Sequence, residues 1–444
     1  MPSPLLRPLR TLVQLAVFGL AVGLACLPLN QVDGWQAQWL HHLPGFTGLA
    51  WQPGGLARAM APLLVMPLLL WLQAGRWKAG AGSGIPQTIE SLEEPTSAKE
   101  LLGLTPTAQR LSLWTAASLA LLPLGREGPV VQVGASVAKA LRDRFPAVLS
   151  GLSERSLIAI GAGAGLAGGF NSPLMGAVFT FEELTGRFQA QVLWPSAVVC
   201  SLAALISNLT GTPIFILASI QSTQSEWLQL MLAVPLGLGA GALGAGFARL
   251  LLLATAWFRP RVSANPLAWG VALGGLLAGM ALFSGGLSGG DGEALMAQML
   301  ANDSPIPVPG SPADLVGWLL LIGARIAGPV LALGAGVPGG LIDPAFAIGA
   351  LFGSGSLELL GGDAQLGLAL GMAAGLAGAT QLPLMTVLFA VRMAGDQQWL
   401  FGLLLSAVIG AAVGRKIQPE PIYHALWGLG YKPSKSLGSK ATPG

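Results

Sequence analysis

The apolar residues of this chain fall in continuous blocks. They show neither the alternation of half-buried strands nor the one-sided order of surface helices. Thr11 to Leu29, Leu56 to Ala74, Leu228 to Phe247, Pro266 to Ser284 and Leu315 to Gly334 each hold at most one charged residue. A helix crosses the hydrocarbon core of a bilayer with roughly 17–25 residues, which each block supplies. Backbone groups in lipid must be satisfied within their own segment, so the blocks predict helices. A transmembrane barrel would alternate with period two over segments of about 10 residues, and this chain does not. The fold class is therefore an all-α polytopic membrane protein. Residues 1–444 form a single membrane domain that ends in a short polar, basic tail over 431–444.

Gly/Pro-rich turns interrupt the apolar pattern at Gly82-Ser83-Gly84-Ile85-Pro86, at Gly125-Arg126-Glu127-Gly128-Pro129, and at Gly336-Val337-Pro338-Gly339-Gly340-Leu341-Ile342-Asp343-Pro344. In each, the proline sits where a first helical turn tolerates it. The glycines before it permit an unusual backbone path. The expectation is a set of helix N-termini inside the membrane, each presenting backbone N–H groups and about half a positive charge. Several such ends aimed at one point make an anion site without a lysine or arginine in it.

The chain also repeats itself. Gly161 to Leu184 aligns without a gap on Gly371 to Ala394, with ten of 24 positions identical. Upstream, Gly128 to Val137 lines up with Asp343 to Phe352. Approximate halves at 56–210 and 228–430 follow, and repeats of this kind build transporters whose site lies at the repeat interface near mid-membrane. Within the repeat, Gly163 to Gly168 matches the dinucleotide-binding pattern GxGxxG. No βαβ context surrounds it, so close helix packing is the better reading.

Composition sharpens this picture. The chain is 53% hydrophobic and 10% charged, too few charges to cover a water-facing surface. The net charge of +3 implies no nucleic-acid partner. Cys26 and Cys200 both lie in apolar blocks and give neither a disulfide framework nor metal spacing. His41, His42 and His424 lie outside the apolar blocks, which leaves a membrane-embedded serine hydrolase without a base. The block after Arg7 and Arg10 lacks a small-x-small cleavage site, so a retained first helix is preferred over a signal peptide. Basic residues at both ends, Arg7 and Arg10 against Lys432, Lys435 and Lys440, put both termini in the cytoplasm. Of the 20 acidic residues, Glu127, Glu182, Glu183 and Asp343 are those inside or at the edge of apolar segments. An ionisable residue there is costly and marks function. Glu182 and Glu183 precede Arg187, so a solvated interfacial pair is their plain alternative.

In order and spacing the turns resemble those of the CLC family of chloride channels and transporters. GREGP followed by VVQVG is the most specific part, GSGIP is specific, and the turn from Gly339 to Pro344 is looser. Tyr423, in Glu420-Pro421-Ile422-Tyr423-His424, and the repeat fit the same family. The resemblance runs from the first helix to Tyr423. It implies an inverted repeat of tilted and broken helices that exchanges chloride for protons. It implies that Ser83 and Tyr423 contact a central chloride through their hydroxyls. Backbone N–H groups at Leu341 and Ile342, and those after Glu127, would complete the coordination. Glu127 is implied as the external gate and Glu183 as the internal proton-transfer group, with Arg126 an electrostatic neighbour. The family reading also implies a homodimer with a pathway in each subunit; no cofactor is expected, because ion gradients supply the energy, and no CBS pair is expected in the roughly 20 residues given after Tyr423.

Physical chemistry supports the gate. A carboxylate at a helix N-terminus occupies the place an anion would take, so it must leave or accept a proton when chloride enters. Two residues depart from the family pattern: Ile342 stands where phenylalanine is common, and Asp343 where a small or apolar residue is usual. Asp343 places a second carboxyl near the anion path. A passive chloride channel is the alternative, and Glu183 favours exchange over it. Fluoride-specific members differ at the serine and tyrosine positions that Ser83 and Tyr423 fill here. The expected setting is the lipid of a bacterial inner membrane.

Overall fold

A computed structural model of the chain describes residues 6–47, 50–207, 209, 225–300, 312–395 and 399–430. The tail with Lys432, Lys435 and Lys440 lies outside the described residues. The first half runs α1 (Leu6–Leu40), α2 (Pro44–Thr47), α3 (Pro53–Ala74), α4 (Ile85–Glu93), α5 (Ala98–Leu101), α6 (Leu104–Leu119), α7 (Glu127–Arg144), α8 (Glu154–Phe170), α9 (Pro173–Phe179) and α10 (Ala190–Ser207). The second runs α11 (Glu226–Ala264), α12 (Pro266–Phe283), α13 (Glu293–Leu300), α14 (Pro312–Gly334), α15 (Ile342–Leu359), α16 (Ala364–Thr380), α17 (Pro383–Ala394), α18 (Leu400–Ile417) and α19 (Ile422–Gly430). Among the described residues seven helical spans are long and apolar enough to cross a membrane. Each of the apolar blocks read from the sequence lies in one of them. Leu64 of α3, Trp194 of α10 and Phe283 of α12 point outward, as a lipid-facing surface requires.

The first apolar block does not stop at Leu27-Pro28-Leu29, as its hydropathy suggests. α1 continues through Pro28 to Leu40 and carries polar side chains into the interior. Asn30 Nδ2 donates to the Gly168 carbonyl at 3.0 Å, and Gln36 Nε2 donates to Ser118 Oγ at 2.9 Å. Asp33, between them, is buried as well.

The sequence repeat is a structural one. Pro173 opens α9 and Pro383 opens α17; Ala190–Ser207 and Leu400–Ile417 are both 18 residues long. Asn171 and Gln381, at matching positions, both end their helices in the left-handed conformation, with φ 47° and 62°. Packing repeats too. A Cβ on Gly134 of α7 would strike the Gly161 carbonyl of α8, and one on Gly349 of α15 would strike the Gly371 carbonyl of α16. Without side chains there, the backbones approach to the contact that holds helices together in lipid. The GxGxxG stretch does the same work: Gly163 faces Gly176 and Thr180, and Gly165 faces Val130.

Gly134→Leu is expected to wedge α7 from α8 and cost about 1–3 kcal/mol or more, read as a lower thermal midpoint of purified protein. Gly246→Leu, whose Cβ meets open space, is the matched control and is expected to leave the midpoint unchanged. Equal midpoints for both variants would contradict the packing account.

Candidate functional site

The three Gly/Pro turns meet and hydrogen-bond to one another. Gly82 N–H donates to the Gly336 carbonyl at 2.9 Å. Gly125 and Gly340 exchange both backbone hydrogen bonds, at 3.0 and 2.8 Å, in an isolated antiparallel pair. These two glycines each stand three residues before the aligned segments that begin at Gly128 and Asp343, so the pair joins the start of α7 to the start of α15 at matching points. Gln73 Nε2 also donates to the Gly336 carbonyl, and Trp114 Nε1 donates to that of Gly125 at 3.2 Å.

Gly82 to Pro86 form the start of α4. The Arg110 guanidinium donates to the carbonyls of Gly82 at 3.1 Å and Ala81 at 2.9 Å, fixing the chain ahead of the helix. Gln87 Oε1 accepts from Gly84 N–H at 2.8 Å, which satisfies one donor of the helix end. Gly84 has φ +115°, a left-handed-side backbone that strains other residues, and its Cβ would stand 2.5 Å from the Gly128 carbonyl. The α4 and α7 starts therefore touch backbone to backbone. Ser83 Oγ is buried beside Gly128 without a hydrogen-bond partner.

Glu127 is fully buried. Its Oε1 accepts the Asp343 N–H at 2.6 Å, so the carboxyl of the α7 start sits on the N-terminal backbone of α15. Its Oε2 has no hydrogen-bond partner. A Cβ on Gly340 would coincide with this carboxyl group, which explains glycine there. A Cβ on Gly125 would be 2.6 Å from both Glu127 Oε1 and Asp343 Oδ2. The two carboxyls thus face one another across Gly125. Asp343 is itself fully buried, with both oxygens unpartnered. Pro129 and Pro344 lie in the first turns of α7 and α15, as their sequence places predict.

Leu341, at the α15 cap, and Ile342 are buried. Tyr423, on the first turn of α19, is also fully buried, and its hydroxyl has no hydrogen-bond partner. A cavity of about 370 Å³ opens onto Ser83 and Leu341. Its charged lining residues are Lys78 and Arg259, and no carboxylate lines it. The turns, Ser83, Glu127, Asp343 and the backbone of Leu341 and Ile342 are thereby brought together.

Glu183 reaches this neighbourhood by a separate element. A π-type turn, Thr180–Thr185, follows α9 and splits the two neighbouring acids. Glu183 is buried and lies 3.3 Å from His424 Nδ1. Glu182 instead caps α17, accepting from Leu384 N–H at 3.0 Å and Met385 N–H at 2.7 Å. The solvated-pair alternative is thus corrected for both: one is inside, and the other completes a helix end. The placing of His424 outside the apolar blocks is also corrected, because it belongs to a helical span long and apolar enough to cross a membrane.

A cluster beside Glu127 escaped the sequence analysis. Arg126 pairs with Asp33 of α1 and, at 3.4 Å, with Glu293 of α13. Its guanidinium also stacks on Phe170, 5.0 Å from the ring centroid. Asp291 caps α13 through Glu293 N–H at 2.9 Å, and Arg325 donates to the Gly290 carbonyl at 3.0 Å. Asp33, Asp291 and Glu293 converge within 4.8 Å. Arg126 supplies their counter-charge, and a buried charge needs such a partner. The signal in the sequence is faint: Asp33 lies past the apparent end of an apolar block, and Asp291 lies in a Ser/Gly-rich stretch.

Comparison with known proteins identifies the family. The family profile described as voltage gated chloride channel matches residues 63–415, most of the chain. The chain belongs to that family, the CLC transporters, and is not an enzyme. It is 27% identical to the H(+)/Cl(-) exchange transporter ClcA of Cronobacter sakazakii, over 94% of this chain and 89% of that one. Identity to the protein of the same name from Yersinia pestis is 29%, over 94% and 87%. The fold superposes with TM-score 0.73 on a slow cyanobacterial Cl-/H+ antiporter, at 25% identity and covering 94% and 97% of the two chains. A CLC-type fluoride/proton antiporter shares the fold, with TM-score 0.71 and 24% identity.

Gly340→Ala is expected to expel the Glu127 carboxyl from its seat, because the added methyl takes its position. An experimental structure of the variant should lack the contact between Glu127 Oε1 and Asp343 N–H. Retention of that contact would show that the seat tolerates a side chain.

Proposed function

We propose that the chain exchanges chloride for protons across the membrane, with Glu127 as the gate that couples them. The observation that carries this reading is the Glu127 carboxyl seated on the α15 backbone. A helix N-terminus binds anions through its N–H groups and dipole. A carboxylate in that seat competes with a chloride for it. Once protonated, the side chain loses its claim on the positive end and gives the place up. Chloride occupancy and proton binding are then two faces of one equilibrium.

Ser83 and Tyr423 are the side-chain ligands in this reading, and their buried hydroxyls without partners suit an anion between them. Backbone N–H groups at Leu341 and Ile342 complete the coordination. The cavity with Lys78 and Arg259 is the approach from the cytoplasm, where positive charge on its walls raises local anion concentration. Glu183, buried and outside the seat, transfers protons from the cytoplasmic side. The relatives' names support chloride as the anion. The protein works as a homodimer in a bacterial inner membrane with both termini cytoplasmic, its halves 56–210 and 228–430 forming an inverted repeat around the site.

The test is simultaneous chloride and proton flux from purified protein in liposomes. Wild type is expected to move protons uphill on a chloride gradient. Glu127→Gln cannot ionise and is expected to abolish uphill proton movement, and Glu127→Ala to leave a chloride leak. Chloride flux without proton movement in wild type would make the protein a channel, and uphill pumping by Glu127→Gln would remove the gate from Glu127.

Asp343 sets a further expectation. Its carboxyl faces the gate across Gly125; when ionised, its charge opposes the potential that draws in an anion, and when protonated it can donate a hydrogen bond or relay a proton. Asp343→Ala is expected to tighten chloride binding in calorimetry and to flatten its dependence between about pH 5 and pH 8. Identical affinities in both forms across that range would leave Asp343 a packing residue.

A further inference from the structure

We propose that His424 is the proton port that loads Glu183 from the cytoplasm. The inference rests on the exchange reading above and names the group that connects its inner proton site to water. Glu183 cannot meet bulk solvent directly, since its side chain is 2% exposed. His424 can, since its side chain is 38% exposed beside the exposed charged residues Glu93, Arg155 and Glu420, and its Nδ1 lies 3.3 Å from Glu183 Oε1. One side chain thus touches both the buried carboxyl and the water outside. It follows Tyr423 directly, so a single short helix, α19, carries an anion-site hydroxyl and the proton port on adjacent residues.

The chemistry suits an imidazole. It is the side chain whose ordinary titration falls between about pH 5 and 8, so it both accepts and releases protons near neutrality. In the loading step the Nδ1–H bond of the imidazolium breaks and an O–H bond forms on Glu183 Oε1. A neutral imidazole, protonated on Nε2, and an uncharged carboxyl remain. The ring is recharged by hydronium or a buffer acid in the cytoplasmic water. Net charge moves inward by one, and no other reactant is consumed.

Three acidic groups act on the ring. Glu183 faces it from the turn after α9, Glu93 acts on it from α4, and Glu420 from the segment before α19. Glu93 is itself held by Arg155 at 2.5 Å. On α11, Arg259 is engaged with the Leu429 carbonyl at the far end of α19, at 2.9 Å. α16, which also packs on α19, carries no charged residue.

The experiment compares wild type, His424→Gln, His424→Ala and Glu183→Gln in liposomes, reading chloride and proton turnover against cytoplasmic-side pH. His424→Gln is expected to lower proton turnover at least about tenfold near neutral pH, the scale of a lost proton-transfer group. Its chloride turnover should stay within about twofold of wild type, and the imidazole-like inflection of the proton rate should vanish. Added imidazole is expected to restore proton turnover in His424→Ala. Loss of chloride and proton flux in equal proportion, or an unchanged proton rate and pH profile, would overturn the port. Glu183→Gln separates the two levels. If it stops protons while His424→Gln does not, only the port fails; if it leaves coupling intact, the exchange reading of Glu183 fails with it.

Discussion

The structure depends on the reciprocal backbone pairing of Gly125 with Gly340. Two hydrogen bonds, at 3.0 and 2.8 Å, tie the start of α7 to the start of α15 where both chains have left their helices. Such exposed backbone ends are costly in a membrane interior unless something satisfies them. Pairing them with each other solves that problem and aims both N-termini at the same volume. Glu127 then has one place to go, onto the Asp343 N–H, with glycine required on either side of it. Fold and site are here one constraint: the contact that closes the repeat also builds the seat.

Much of this was legible in the chain. Continuous apolar blocks located five of the seven long helical spans among the described residues, and glycine and proline located the breaks that build the site. The repeat was visible because packing demands it. Gly134 and Gly161, and their counterparts Gly349 and Gly371, leave no room for a Cβ, so these positions are held to glycine in both copies. The roles of the turns came from resemblance, and their convergence needed the structure. Nothing in the local pattern says that Gly82 bonds to Gly336.

Long-range charge pairing was not legible. Hydropathy ended the first block at Leu29, yet α1 runs on and delivers Asp33 to Arg126. The pair draws its members from distant segments, and neither segment advertises it. Glu182 and Glu183 show the same limit at shorter range. They are neighbours in sequence, but the π-type turn sends one to cap α17 and the other to His424. A helical wheel cannot foresee that separation, because the extra residue in the turn changes which face each side chain takes.

These placements make competition for one positive seat the centre of the account. If the Glu127 carboxylate and chloride exclude one another there, adding chloride must change the number of protons the protein holds, as linkage requires. The direct measurement is proton uptake by purified protein in weakly buffered detergent solution near neutral pH as chloride is added. The account predicts net proton uptake that saturates with chloride binding and is lost in Glu127→Gln. Chloride binding without proton uptake in the wild-type protein would contradict it.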